Sequence, residues 1–341
     1  MAVRLRDVAA RAGVSLKTVS NVVNGTVNVR EPTRAKVQAA IDELGYRPNL
    51  SARNLKYGRG GFIALAVPEL AIPYFTELAA KFDAAAAELG FMMLLDITRA
   101  DPSVERVVLS GVQSHMIDGV VFSPMSLDRA EIEANIRSDV PVVFLGERAI
   151  PDGVDHVAVD SVAAARSMTQ HLIDIGRTRI ATIGRSHGVT TGSVRQQGYA
   201  QAMESAGMEV DPAYLKGTSD YSREAGRTAM LELLQLPTPP DAVFCFNDVM
   251  AVGALRACTE AGVRVPEDVA VAGFDDISEG RYSTPTLTTI TPDMDILVRE
   301  VLRILVRRIE GYTGPGERIH IPWTLTVRES TRGRRPSIPP R

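Results

Sequence analysis

The sequence predicts a small all-α helix-turn-helix unit at the N-terminus followed by a much larger α/β body. Three observations point there. Residues Leu5 to Asn24 read LRDVAARAGVSLKTVSNVVN, two short amphipathic segments around a glycine. From Phe62 onward, apolar strand-like runs alternate with helical segments, the pattern of a parallel sheet covered on both faces. The 341 residues are too many for one small domain and enough for a small unit plus a large two-lobed body.

In the first helix Leu5, Val8, Ala9 and Ala12 fall at i, i+3, i+4 and i+7, one apolar stripe, and Gly13 allows a sharp turn. Ser15 is the expected cap of the second helix. There Val19, Val22 and Val23 form the inward face, whereas Leu16 with Ser20 and Lys17 with Asn21 are i, i+4 neighbours pointing the other way. That outward face suits base edges in a major groove. Lys17 can donate to guanine O6 and N7, Asn21 can pair bidentately with adenine, and Leu16 can rest on a thymine methyl. The alternative is a small helical cap with a solvated polar face, but a turn glycine, a serine cap and two short helices at this spacing favour a DNA reader.

A third helix is expected over Glu31 to Leu44, with Pro32 in its first turn, Gly45 just past its end, and Val37, Ala40, Ile41 and Leu44 closing the small core. The segment YRPNLSARNLKYGRGG follows, where Asn49 can cap a short helix carrying Ala52 and Leu55, stopped by Gly58, Gly60 and Gly61. So short a helix is marginal in water and forms only against something else. If that is DNA and a symmetry mate, Leu55 becomes a wedge in a minor-groove base step; otherwise the segment is a linker with an incidental leucine. Charge is distributed to match. Up to Gly60 there are 11 Lys and Arg against 4 Asp and Glu, a balance of +7, so the total of −3 leaves −10 on the remainder. Arg6, Arg11, Arg34, Arg53, Lys56 and Arg59 are candidates for phosphate contacts, while the acidic body stays off the duplex.

In the body FIALAV, MMLLDI, GVVFS and PVVFLG are expected to form a first set of strands, with helices near Tyr74 to Leu89, Ser103 to Met116 and Asp128 to Arg137. HVAVD, RIATIG, AVFCFN and DVAVAGF are expected to form a second set, with helices near Ser161 to Ile175, Val194 to Ala206, Ser222 to Leu234 and Asp248 to Ala261. Strand ends and the cleft between lobes are where such sheets hold ligands. Arg195, Asn247 and Asp275 each fall at or just after a predicted strand-to-helix junction. Together they offer the forked donors, mixed amide and acceptor pair that hydroxyl-rich ligands require.

Catalysis is not expected. No G-x-x-x-x-G-K-[ST] loop or G-x-S-x-G elbow occurs, and His115, His156, His171, His187 and His320 are scattered without metal-ligand spacing. Neither a metal nor a cofactor is implied. Asp275-Asp276 could suggest paired carboxylates, but chain neighbours do not face each other. Cys245 and Cys258 fit a reducing cytoplasm as small buried hydrophobes. The 45% hydrophobic fraction supports a substantial core, while no apolar run reaches the length of a membrane span and no signal-peptide core opens the chain, so a cytoplasmic protein is expected.

VAARAGVSLKTVSNVVNG, the helix ending in Gly45, YRPNLSARNL, and then FCFNDVMAVGALRACTEAGVRVPEDVAVAGFDD with YSTPTLTTI resemble the LacI/GalR family of bacterial transcription regulators over nearly the whole chain. The resemblance implies a two-lobed, periplasmic-binding-protein-like (type I) effector domain in which the chain crosses between lobes several times and a last helix, near Met294 to Glu310, returns to the first lobe. It also implies a homodimer whose paired hinge helices insert Leu55 and its twin at the centre of a double-stranded, pseudo-palindromic operator. Thr18, Ser20, Asn24 and Thr33 match phosphate-holding positions. Arg195, Asn247 and Asp275 match widely shared effector-binding positions, Tyr74, Phe75 and Tyr221 match aromatic pocket positions, and Thr191 is a further candidate. The expected boundaries are residues 1–46 for the DNA-binding domain, 47–61 for the hinge, 62–330 for the effector-binding and dimerisation domain, and 331–341 for a tail without a leucine heptad. Two departures bear on the ligand. Val189 stands where purine-responsive relatives have an arginine, and those relatives lack the amide of Asn247. Gly146 stands where the lactose-responsive type has an aspartate. A sugar or sugar phosphate relieving a repressor is therefore the expected effector, the alternative being a corepressor of nucleoside or purine type. A solute-binding protein or an architectural DNA-bending protein fits less well, the first for want of a signal peptide and the second for want of any use for a cleft.

Overall fold

The computed structural model describes residues 3, 5–23, 29–46, 60–110, 116–136, 140–147, 150–184 and 191–332. The chain divides into two compact units, Met1–Gly60 and Gly61–Arg341. In the first, helices α1 (Leu5–Ala12), α2 (Leu16–Val23) and α3 (Glu31–Leu44) pack around Val8, Val19, Val22, Val37 and Ala40. Tyr46, just past α3, joins this core, and its N–H donates to Ile41 O at 3.0 Å. That bond requires the chain to reverse at Gly45, whose φ of 61° is left-handed and suits glycine.

The second unit holds two six-stranded sheets. The first is built from β1 (Phe62–Val67), β2 (Met92–Ile97), β3 (Gly119–Phe122), β4 (Val142–Leu145), β5 (Asp155–Val159) and β11 (Arg318–Ile321), in the order β11-β5-β4-β3-β1-β2, all parallel. Its helices are α4 (Pro73–Glu88), α5 (Pro102–Leu109) and α6 (Arg129–Asn135). Asp128 and Glu131 form a reciprocal capping box at the start of α6. The second sheet is built from β6 (Ile180–Gly184), β7 (Leu215–Gly217), β8 (Ala242–Cys245), β9 (Ala270–Phe274), β10 (Thr288–Pro292) and β12 (Trp323–Thr326), in the order β12-β10-β9-β8-β6-β7. Only β12 in it runs antiparallel to its neighbour. Helices α7 (Ser161–Asp174), α8 (Thr191–Ser205), α9 (Arg223–Leu234), α10 (Asp248–Glu260) and α11 (Ser278–Tyr282) belong to this half.

The run HVAVD, expected with the second set, belongs to the first sheet: β5 pairs with β4 and β11. The crossing comes immediately after it. Asp160 accepts from Ala163 N–H at 3.0 Å and opens α7, which packs on β8, β10 and β12. The chain returns through α12 (Met294–Ile309), whose apolar stripe of Leu297, Val301, Leu302 and Leu305 packs with α4, β3, β4 and β5. It crosses once more between β11 and β12, before the short α13 (Glu329–Arg332). Helix α5 is shorter than expected, ending at Leu109, and residues 111–115 lie outside the described ones. Helix α8 starts at Thr191, three residues before the expected Val194. Cys245 and Cys258 are buried, and burial raises both thiols, Cys258 to about 12, which keeps them protonated and unreactive. No helix among the described residues is long and apolar enough to cross a membrane.

Candidate functional site

In the N-terminal unit, Ser15 Oγ accepts from Thr18 N–H at 3.1 Å and lies 2.8 Å from Thr18 Oγ1, so these two hydroxyls pin the start of α2. Val19 and Val22 are buried, whereas Val23 is only half-buried. Leu16 is 54% exposed and Lys17 is exposed beside it. A solvent-facing leucine on the helix that also carries Lys17 gives apolar and cationic contacts at adjacent positions. Ser20, Asn21 and Thr33 are half-buried. Arg11 is drawn back by Glu43, Nη2 to Oε2 2.6 Å, which makes it a poorer phosphate contact than its charge suggested. Asn24, Asn49, Ala52 and Leu55 lie outside the described residues, as does Val189 in the body.

In the body, Tyr74, Phe75, Thr191, Arg195, Tyr221, Asn247 and Asp275 all line one cleft between the carboxyl ends of the two sheets. Their positions follow from local structure. Tyr74 and Phe75 sit in the first turn of α4 with edge-to-face rings, centroids 5.2 Å apart. Phe75 is also part of the hydrophobic core, so it serves packing and pocket together. Burial, with Asp275 nearby, raises the Tyr74 phenol and keeps it neutral. Asn247 caps α10: its Oδ1 accepts from Met250 N–H at 2.8 Å. One lone pair of the expected mixed amide is therefore spent on the cap, while its N–H₂ group remains as a donor. Asp275 follows β9 with φ 110°, and Asp276 has φ 55°. Two consecutive non-glycine residues at positive φ store strain of about 1–3 kcal/mol each. This turn is held by Asp275 N–H donating to Ile290 O at 2.9 Å and by buried Asp248, which accepts from Ile277 N–H at 2.9 Å and Thr289 Oγ1 at 2.6 Å. Burial, then Asp275, pushes the Asp248 carboxyl well above its usual range. The two aspartates do turn apart. Asp276 pairs with Arg281 and Arg328 at 3.0 and 2.6 Å, while Asp275 faces the cleft.

Arg195 is the hub. Its Nη1 donates to the Phe246 carbonyl, its Nη2 donates to Glu147 Oε1 at 2.6 Å and approaches Asp275 Oδ1 at 3.5 Å, and its guanidinium lies 3.4 Å from the Phe274 ring centroid. Burial acts to lower its pKa, but Glu147 and Asp275 outweigh that and raise it. Asp275 is pushed up to about 7, chiefly by burial, with Arg195 pulling it down and Glu147 adding to the rise. Glu147, two residues past β4, is the member that the sequence reading missed. A charged residue at the carboxyl end of an apolar strand, in PVVFLGER, was the available signal. Gly146 lines the cleft with φ 94°. Among the described residues no group of three or more His, Cys, Asp or Glu side chains could hold a metal ion.

Residues 4–49 match the model of bacterial regulatory proteins of the lacI family, and residues 169–331 match that of the periplasmic binding protein-like domain. The HTH-type transcriptional regulator CelR of Thermobifida fusca is 37% identical over 334 residues, covering 96% of this chain and 97% of its own. A solved complex of transcriptional regulator CelR with cellobiose is 35% identical and covers 96% of this chain and 99% of its own, with a TM-score of 0.71. The lac repressor dimer bound to operator and the anti-inducer ONPF is 28% identical, with a TM-score of 0.84 over 97% of this chain and 99% of its own. Its helix-turn-helix unit, its two-sheet body and these similarities together place this chain in the lacI family of bacterial regulatory proteins, the DNA-binding transcriptional regulators.

Proposed function

We propose that the chain is a dimeric repressor of carbohydrate genes, released from its operator when a sugar or sugar phosphate occupies the cleft of its body. The observation that carries this is the cleft itself. Aromatic rings from α4, an amide donor at the α10 cap and an Arg195–Asp275 pair converge between two sheets, the composition that a ring with several hydroxyls requires. The similarity to a regulator solved with cellobiose supports the ligand class. The similarity to a repressor dimer on its operator supports the assembly.

In this reading Leu16, Lys17 and Asn21 of each protomer read one half-site, Thr18, Ser20, Asn24 and Thr33 hold phosphates beside the capping Ser15 at the DNA, and Asn49, Ala52 and Leu55 form the hinge that enters the minor groove. Tyr74, Phe75, Thr191, Arg195, Tyr221, Asn247 and Asp275 hold the effector. Because the cleft lies where the chain crosses between sheets, a ligand gripping both sides biases their relative placement. Coupling is reciprocal: a sugar that weakens operator binding is itself bound more weakly by the operator complex. Operator selection from random duplexes, repeated with a panel of sugars and sugar phosphates, tests this. A palindrome released by one of them is the expected result. A palindrome tightened by a nucleoside and released by no sugar would replace this reading with corepression.

A further inference from the structure

Glu147 comes from the first sheet and meets Arg195 from the second across the cleft. Its Oε1 is fully engaged, accepting from Arg195 Nη2 at 2.6 Å and from the Ser161 hydroxyl. Its Oε2 is buried with no hydrogen-bond partner, and so is Arg195 Nε. The two side chains are only 8% and 6% exposed, so water satisfies neither atom cheaply. A carboxylate oxygen can only accept, which means that whatever completes this site brings a hydrogen to Oε2. The Nε–H, conversely, needs an oxygen lone pair. A hydroxyl supplies both roles, donating to one neighbour while accepting from the other.

Charge sharpens the choice. Asp275 stands 3.5 Å from the same Nη2, so two carboxylates share one guanidinium. Arg195 is the only cation among the described residues lining the cleft. Its Nη1 is committed to the Phe246 carbonyl and its face to Phe274. A phosphate dianion or carboxylate group seated against Glu147 has no hydrogen to offer its Oε2 and meets that buried negative charge directly, where repulsion is strong. We infer that Glu147 is a specificity-determining residue, accepting a hydroxyl hydrogen from an uncharged sugar and turning away sugars that would set a phosphate or carboxylate group against it. This rests on the reading of the cleft as a sugar site and narrows it to the neutral members of that class.

Calorimetric titration of the full-length chain separates the cases, using cellobiose, glucose and ribose beside the phosphate esters of glucose and ribose and beside gluconate. The wild-type chain is expected to bind a neutral sugar at least about tenfold more tightly than any charged one, the loss expected when a buried charged acceptor meets no donor. Glu147→Gln should weaken the neutral sugar by about tenfold or more and shrink that preference, because the amide restores a donor and removes a charge. A purely structural Glu147 would lower affinity for both classes alike and leave their ratio unchanged, which overturns the inference. So does a wild-type chain that prefers a phosphate ester, a measurement that needs no variant to fold; the sugar reading of the cleft survives that result. If wild-type protein binds no sugar of either kind, the sugar reading fails, and this inference with it. Thermal melting of Glu147→Gln accompanies the titrations, and Glu147→Asp, which retains the charge but withdraws the oxygen, should keep the preference against esters while losing affinity for the neutral sugar.

Discussion

Lys17 projects from the exposed face of α2, next to the 54% exposed Leu16. An ammonium there can reach guanine O6 and N7, so Lys17→Ala is expected to cost about 1–3 kcal/mol at the cognate operator and to leave nonspecific duplex almost untouched. Competition anisotropy with cognate and scrambled duplexes measures both, and equal losses would reduce Lys17 to a phosphate contact. In the body, Asp275 makes stability depend on pH. Burial pushes its carboxyl up to about 7 in the folded chain, from an ordinary value of 3.8. Between those values the folded state binds the proton more firmly than the unfolded one. The contribution is therefore complete below the unfolded value and is lost as pH rises through the folded one. Asp275→Asn cannot titrate, so relative to wild type it should gain stability from about pH 4 to about pH 7 and hold a constant difference above that. Urea midpoints decide it, and a difference already constant from about pH 4 to about pH 7 would remove Asp275 as the source. Arg195, Asn247 and Asp275 were legible because side chains at the carboxyl ends of parallel strands converge, whereas Tyr74, Phe75, Thr191 and Tyr221 were legible only through the family resemblance. Glu147 was not, since its importance arises from Arg195, 48 positions later, and from an oxygen whose isolation only the packed cleft reveals. The use of the Asn247 oxygen in capping α10 was equally a matter of local backbone geometry.

Helices α9 and α10 show how elements set the cleft walls. Each lends a glycine to the other: a Cβ on Gly226 would strike the Met250 backbone, and one on Gly253 would strike the Arg223 carbonyl oxygen. Alanine favours an isolated helix over glycine by about 1 kcal/mol. Here that gain is overtaken, because the two backbones must part or shift, and Gly253→Ala should destabilise the chain by about 1–3 kcal/mol. Urea unfolding checks the sign. A stabilised variant would show that the helices separate freely and that propensity wins. Such helices were readable from periodicity and caps, as the capping box of Asp128 and Glu131 and the reversal at Gly45 illustrate. The sheet membership of HVAVD was not. An apolar run of five residues looks the same in either sheet, and only its pairing with β4 and with β11, which arrives some 160 residues later, assigns it. Strands β7, β10, β11 and β12 were missed as elements for the related reason that they are short and partly polar, LKG, TTITP, RIHI and WTLT, and depend on neighbours already in place.

At the scale of the molecule, the surface argues for a second copy. Strand β2 ends the first sheet, and on it Met92 and Leu95 are 54% and 39% exposed. An uncovered apolar edge strand invites association unless something covers it. Tyr282, at the end of α11, is 87% exposed, a large aromatic ring left in water by the single chain. It lies next to Arg281, which pairs with Asp276 in the turn that aims Asp275 into the cleft. A partner seated on Tyr282 would therefore rest on the same turn that the effector grips from the other side. The palindrome proposed above requires two chains, because one unit with a +7 charge holds duplex mainly through salt-dependent contacts and reads only one half-site. Tyr282→Asp should shift the mass measured by light scattering from two chains toward one. It should also make operator binding steeply dependent on protein concentration while leaving sugar titration per chain intact. An unchanged dimer mass would place the interface elsewhere, and a mass of four chains in the wild type would contradict the dimer itself. If sugar affinity fell together with the mass, the turn at Asp275–Asp276 would be ordered by the partner, and effector binding would then belong to the dimer and not to the single chain.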